Sequence, residues 1–349
     1  MRFAFDEHQI EFRDTVRQVL AKECTTADLR AAYANPVAKT ERWAILASIG
    51  VAGLTVPDLQ GGLGLGLVDL VALLEESGAV GLPEPLVETT ALAVPLLADL
   101  LTDRAHDAQL ASWLRSMGDG SITAALGLAT DSSVPVAAAD GADLFVLAAE
   151  GTEGLELHVV DADAVSVTPV VSLDPTRRLG VPSFEPSPST RFAAGSRARS
   201  LAVATAERGA VATAAVLLGL SEKMIGLGAA YAQERRQFGH AIGSFQAVKH
   251  LLAGAQVKLE FARPLVYAAA WSLDADTPGR SRAASAAKAS ASEAATEAAR
   301  VALQVHGAIG YTWECDLHLF MKRAWALAEA WGSAAQHRRQ VLDSLVRER

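Results

Sequence analysis

Two stretches of this 349-residue chain carry side chains suited to a phosphate-bearing ligand: Glu234-Arg235-Arg236-Gln237-Phe238-Gly239-His240-Ala241-Ile242-Gly243-Ser244-Phe245-Gln246 and Gln304-Val305-His306-Gly307-Ala308-Ile309-Gly310-Tyr311-Thr312-Trp313-Glu314. Arg235 offers a planar, permanently charged fork of donors that fits a phosphate or pyrophosphate. Gln237 and Gln246 each donate and accept, as recognition of an adenosine or ribitol group requires. Gly307 lets a backbone come close, and its neighbours can turn N–H groups toward an anion. Singly, each has a plainer reading: an arginine beside Glu234 is a solvated helix face, and Phe238 is core rather than a stacking platform. Their joint spacing favours the ligand.

Other chemistries find little footing. His306, His318 and His337 are not spaced as a metal set, and Cys24 and Cys315 are too few for a disulfide framework, so both cysteines are read as small apolar fillers. There is no Gly-x-Gly-x-x-Gly after a strand, no Walker motif and no Gly-x-Ser-x-Gly elbow. A net charge of -9 and a pI near 5.4, with Lys and Arg scattered, speak against a nucleic-acid binder. Met1-Arg2-Phe3 does not open a charged leader followed by a long apolar run, and the chain reads as cytosolic and reduced.

The elements that must position these residues fall into three zones. Up to about residue 116 the apolar pattern is helical: Ile10, Val16 and Leu20 recur at roughly helical spacing, and Asp6 is placed to cap the first run. Residues 46–57 predict a helix end and an extended piece, leading to the Gly61-Gly62-Leu63-Gly64 turn and a helix from Leu67 carrying Glu75 and Glu76. From about residue 122 to 192 the period shortens. Asp143-Leu144-Phe145-Val146-Leu147-Ala148, Leu155-Glu156-Leu157-His158-Val159-Val160 and Ser166-Val167-Thr168-Pro169-Val170-Val171 predict strands, and Asp174-Pro175-Thr176 a capped turn. From about residue 197 long helices return, and the alanine-rich run 283–303 suits a close helix–helix contact.

Helix, sheet, helix, with the two motifs in the last zone, resembles the acyl-CoA dehydrogenase family of flavoproteins. The resemblance implies a mostly α, α+β fold: an N-terminal helical domain over 1–118, a shortened middle β domain over 119–195, and a C-terminal four-helix bundle over 196–349 that also builds the oligomer. It implies that Arg235, Gln237, Phe238, Gln246, Gln304, Gly307 and Ala308 contact an FAD bound mainly by a neighbouring subunit; at Ala308 the family commonly has a second glycine. Two expected parts are missing. Where the family carries a Thr-Glu-Pro, Gly, Ser-Asp segment against the flavin ring, this chain has Ala125-Leu126-Gly127-Leu128-Ala129-Thr130-Asp131-Ser132-Ser133-Val134, with no tryptophan between Trp113 and Trp271.

The catalytic base is the second missing part. Where many members have a glutamate before a glycine, this chain has Trp331-Gly332. A second family position falls near Gly209, and the nearest carboxylate, Glu207, is two residues off, which on a helix points to another face. Glu207 is thus either a base in an altered register or an ordinary helix-start acid beside Arg208. The resemblance implies α,β-dehydrogenation of an acyl-CoA, with this chain as one subunit beside a paralogous acyl-CoA dehydrogenase subunit that supplies the base. A self-sufficient homo-oligomer using Glu207, and a non-catalytic structural paralogue, are the alternatives. The implied acceptor is an electron-transfer flavoprotein or similar, with no nucleic-acid or membrane partner and no metal.

Overall fold

The computed structural model describes residues 4–37, 40–104 and 107–347; Met1-Arg2-Phe3, on which the leader expectation rests, lie outside the described residues. The chain opens with α1 (Glu7–Glu23), α2 (Thr26–Ala34), α3 (Glu41–Ser48), α4 (Leu67–Val80), α5 (Val94–Asp103) and α6 (Ala108–Gly118). Asp6 caps α1 as expected. Its carboxylate accepts from the Gln9 N–H at 2.9 Å, while the Gln9 side-chain oxygen accepts from the Asp6 N–H at 2.9 Å, a reciprocal box. Val16 and Leu20 are buried; Ile10 is not core, at 39% exposed.

One expected element is absent. Residues 51–57 form no strand but a series of turns, although Val51, Leu54 and Val56 are fully buried. The β-branched residues suggested extension, yet the backbone pairs locally. The Val56 carbonyl accepts from the Gly64 N–H at 2.8 Å, and the Leu54 carbonyl from the Leu65 N–H at 3.0 Å, so no sheet partner is needed. Ahead of α5, residues Val87–Ala93 are wound as a π-helix. The Thr90 carbonyl would there pair with residue 95, a proline without an N–H, and the Thr55 hydroxyl donates to it instead at 2.6 Å.

The middle of the chain forms β1 (Ala124–Gly127), β2 (Leu144–Gly151), β3 (Gly154–Asp161), β4 (Ser166–Pro169), β5 (Gly180–Ser183) and β6 (Arg191–Ala194). The main sheet has the order β1-β2-β3-β6, with β1 parallel to β2 and the other pairs antiparallel, and β4 and β5 form a separate ribbon. Ala125, Phe145 and Leu147 line one buried face with Val136. Asp174 is fully buried and accepts from the Thr176 N–H at 3.1 Å, closing the capped turn.

Long helices follow: α7 (Gly195–Glu234), α8 (Gln246–Asp274), α9 (Arg280–His306), α10 (Leu317–Glu329) and α11 (Ala334–Arg347). Alanine explains how α9 can be central. Ala284, Ala287, Ala291, Ala294, Ala295, Ala298 and Ala302 are buried, and such short side chains let α8, α10 and α11 all pack on it. Between α4 and α7 the backbones themselves meet, since a Cβ at Gly219 would lie 1.8 Å from the Glu75 carbonyl oxygen. By length and composition α7 could cross a membrane, but 78% of its apolar window is buried in the protein.

Two compact units emerge from the contacts. One comprises the described parts of Met1–Arg30, Val71–Leu82 and Ala210–Arg349; the other comprises those of Ala31–Leu70 and Pro83–Gly209. The first holds most of α4 and α7 and all of α8 to α11. The second holds α3, α5, α6 and every strand of the main sheet.

Candidate functional site

The first motif is a hairpin between α7 and α8. Short strands β7 (Arg236–Gln237) and β8 (His240–Ala241) pair in register, Gln237 opposite His240, around the two residues Phe238 and Gly239. Both turn residues have positive φ, 52° at Phe238 and 80° at Gly239, the combination a two-residue hairpin demands. Glycine adopts it freely; a phenylalanine does so at a cost of about 1–2 kcal/mol. The Phe238 ring is 90% exposed, so it is not core. A 3₁₀ turn, Ile242–Ser244, follows the hairpin, and Gln246 then opens α8 without a side-chain cap from Phe245.

The second motif closes α9. Gln304 is exposed in its last turn, and Gly307 ends the helix at φ 63°, ψ -142°, a backbone region open essentially to glycine. A Cβ there would meet nothing within 4 Å, so the glycine serves the backbone bend and leaves an open face. Ala308 is exposed on the following 3₁₀ turn, Gly307–Tyr311.

What joins the motifs is a pair of rings. Tyr231, in the last turn of α7, stacks on His306, the last residue of α9, with centroids 4.5 Å apart and planes 20° from parallel. His306 is buried, and its Nδ1 lies 2.8 Å from the Ala302 carbonyl oxygen. The hairpin and the Gly307 turn therefore leave the bundle at one end. Among the described residues, the side chains of Arg235, Gln237, Gln246 and Gln304 are exposed and engage no other protein group. This donor set, guanidinium and amides unspent beside an open glycine and an exposed ring, fits the phosphate and sugar portions of a dinucleotide.

Glu207 is not part of the bundle unit. It belongs to the other compact unit, on a helix that begins at Gly195, so it lies in the helix interior and is not the helix-start acid the sequence suggested. Its side chain is half-buried, with one carboxylate oxygen shielded from water. The buried carboxylate of the bundle unit is Glu75. Arg263 Nε donates to it at 2.9 Å, the Tyr267 hydroxyl donates to its other oxygen, and burial pushes its pKa up against the pull of Arg263. With both oxygens engaged it is a structural group. Among the described residues no cluster of three or more His, Cys, Asp or Glu could hold a metal ion.

The surroundings of Trp331-Gly332 hold a buried charge that the sequence reasoning missed. Trp331 and Gly332 both have positive φ, 57° and 104°, in the turn between α10 and α11. Lys288, fully buried in α9, reaches the Gly332 carbonyl of that turn. The signal was present in the sequence. A single lysine falls in step with the alanines of the buried face, at positions 284, 288, 291, 295, 298 and 302.

One unit is thus a helical bundle with unspent guanidinium and amide donors at one end, and the other is built round a small sheet. Residues 6–121 match the acyl-CoA dehydrogenase N-terminal domain, and residues 199–346 match the acyl-CoA dehydrogenase C-terminal domain. The acyl-CoA dehydrogenase IpdE2 of Mycobacterium tuberculosis is 34% identical over 326 residues, covering 93% of this chain and 92% of that protein. The acyl-CoA dehydrogenase FadE34 of the same organism is 33% identical over 85% of this chain, but over only 41% of its own length. The fold is shared with a chain of the ChsE4-ChsE5 complex of M. tuberculosis, at a TM-score of 0.89 and 23% identity over 99% of both chains. It is shared too with glutaryl-coenzyme A dehydrogenase, at 0.88 and 19% over 100% of this chain and 98% of that one. This chain belongs to the acyl-CoA dehydrogenase family.

Proposed function

We propose that the chain is one subunit of a hetero-oligomeric, FAD-dependent acyl-CoA dehydrogenase and that it supplies the far-side cofactor contacts while a paralogous subunit supplies the base. The convergence of the two motifs at the Tyr231–His306 stack carries this reading. Arg235 would neutralise pyrophosphate charge, Gln237, Gln246 and Gln304 would bond the polar edges of the cofactor, and the Phe238 ring would cover an apolar face. FAD, when bound, accepts the hydride from the substrate's β carbon. The companion event, removal of the α proton, needs a carboxylate within reach of the substrate. Trp331 cannot provide one, and Glu207, in the interior of α7, is not assigned the role.

Two further observations support a split site. The segment after β1 is a series of turns running to Val136, where the resemblance calls for flavin-ring contacts. The fold is also that of the ChsE4-ChsE5 complex, an assembly of two different chains. The test is the FAD content of the chain expressed alone against that of the chain co-expressed with a paralogous subunit.

A further inference from the structure

Lys288 is the one fully buried lysine among the described residues. Its ammonium has four acceptors within reach: Ser292 Oγ at 2.9 Å, Ala328 O at 2.8 Å, Leu327 O at 3.1 Å and Gly332 O at 3.2 Å. Three of these are backbone carbonyls at or just beyond the C-terminal end of α10, where a helix leaves its last carbonyls unpaired and bears partial negative charge. The adjoining turn is secured from the other side as well. His337 Nε2 lies 2.9 Å from the Trp331 carbonyl oxygen, and Ser333 and Gln336 form a reciprocal cap at the start of α11, at 2.8 and 3.3 Å. Trp331 is thus held at positive φ by groups from α9 and α11.

We propose that Lys288 is a positioning residue: its buried ammonium clasps the end of α10 to the Trp331–Gly332 turn, fixing the Trp331 side chain, and loss of its proton loosens that turn. An ammonium has three N–H donors for the carbonyls. A neutral amine has two, and its lone pair can be met only by the Ser292 hydroxyl, so one of the three carbonyls loses its donor. Burial lowers the pKa of Lys288 to about 8, with Glu329 at the end of α10 opposing the shift. The other ionisable group acting here, His337 on α11, is pushed below the ordinary histidine value, chiefly by its own burial, and is neutral throughout the lysine's range. The buried positions of α8, the remaining helix on α9, are apolar or small, among them Leu259, Ala262, Val266 and Ala269. The clasp stands on this geometry. Its bearing on catalysis, through a wall held where relatives carry a base, rests on the function proposed above.

The experiment labels the full chain with 5-fluorotryptophan, identifies the Trp331 resonance by its loss in Trp331→Phe, and follows it by fluorine NMR from about pH 7 to about pH 9.5. In the unaltered chain the resonance shifts with a midpoint near 8. In Lys288→Arg, which stays charged, it stays still. In Lys288→Met it sits, already at about pH 7, where the unaltered chain arrives only at the alkaline end. A resonance that is flat in the unaltered chain, or that moves equally in Lys288→Arg, overturns the proposal, and these two samples decide the matter should the methionine variant not fold. No cofactor or acyl-CoA is present, so failure here leaves the functional reading standing, and failure of that reading leaves this titration unchanged.

Discussion

The ring of Phe238 meets that of Phe245 edge to face, with centroids 6.3 Å apart, while nine-tenths of Phe238 stays in solvent. A residue that spends backbone strain to hold an aromatic ring out in water is poorly explained by the stability of its own chain. Replacing it with glycine removes both the strain and the ring. Phe238→Gly should raise the urea stability of the cofactor-free chain by about 1 kcal/mol. In the assembled complex, the same change should weaken FAD retention by roughly threefold to tenfold. Equal or lower stability in the cofactor-free variant would refute the strain argument.

Arg235 has its guanidinium exposed and unengaged, so its removal leaves no orphaned partner within the chain. Arg235→Ala should leave the unfolding midpoint within experimental scatter. FAD retention in the complex should fall by roughly tenfold to a hundredfold, the loss expected for a charge-assisted bond. Retention is read by flavin absorbance after gel filtration at fixed salt; an unchanged flavin content would remove Arg235 from the site.

Glu207→Gln separates the borrowed base from an internal one. The change keeps shape and one accepting oxygen, turns the other into a donating amide, and removes the ionised form. Turnover of the assembled enzyme should stay within about twofold, since no step is assigned to this carboxylate. A loss of several orders of magnitude with assembly intact would make Glu207 the base and the chain self-sufficient.

Three buried histidines contribute to the loss of stability on mild acidification. Burial is the first cause of the lowered pKa of His158, His318 and His337, so in the folded chain each takes its proton below the ordinary histidine value. As pH falls through about 6.5 the unfolded chain binds protons that the folded chain refuses, and stability is lost by at most about 1.4 kcal/mol per pH unit for each histidine. The raised carboxyl of Glu75 works in the opposite sense. Urea titrations at about pH 7 and about pH 5.5 should show this loss, and a His158→Gln, His318→Gln, His337→Gln triple variant should lack most of it. A triple variant with the same pH slope would contradict the assignment.

The legible parts of the sequence were those where a local rule and the tertiary structure agree. Asp6 and Gln9 close a capping box because both partners lie within one turn, and the short apolar run from Leu144 to Leu147 marks a strand because neighbouring strands and a core cover it. The Arg235–Gln246 and Gln304–Ala308 segments could be selected by spacing, since each is short and ends a helix. Their meeting could not, because it depends on Tyr231 and His306 being stacked across two helices. The apolar run at residues 51–56 misled for the same reason in reverse: its burial looked like a strand's, but its carbonyls pair with Gly64 and Leu65. Lys288 was passed over because a charge in an alanine-rich helix is ordinarily solvated, and only the end of α10 supplies what makes its burial tolerable.

The central claim, that the FAD contacts of this chain complete a site begun on another chain, is tested most directly by counting FAD per protomer by absorbance and protein mass, alone and with a co-expressed paralogous subunit. The account predicts a nearly flavin-free chain alone and a complex that gains stoichiometric FAD, bleached by its acyl-CoA. One FAD per protomer in the isolated chain, bleached by an acyl-CoA, would contradict it and place a whole active site within this sequence.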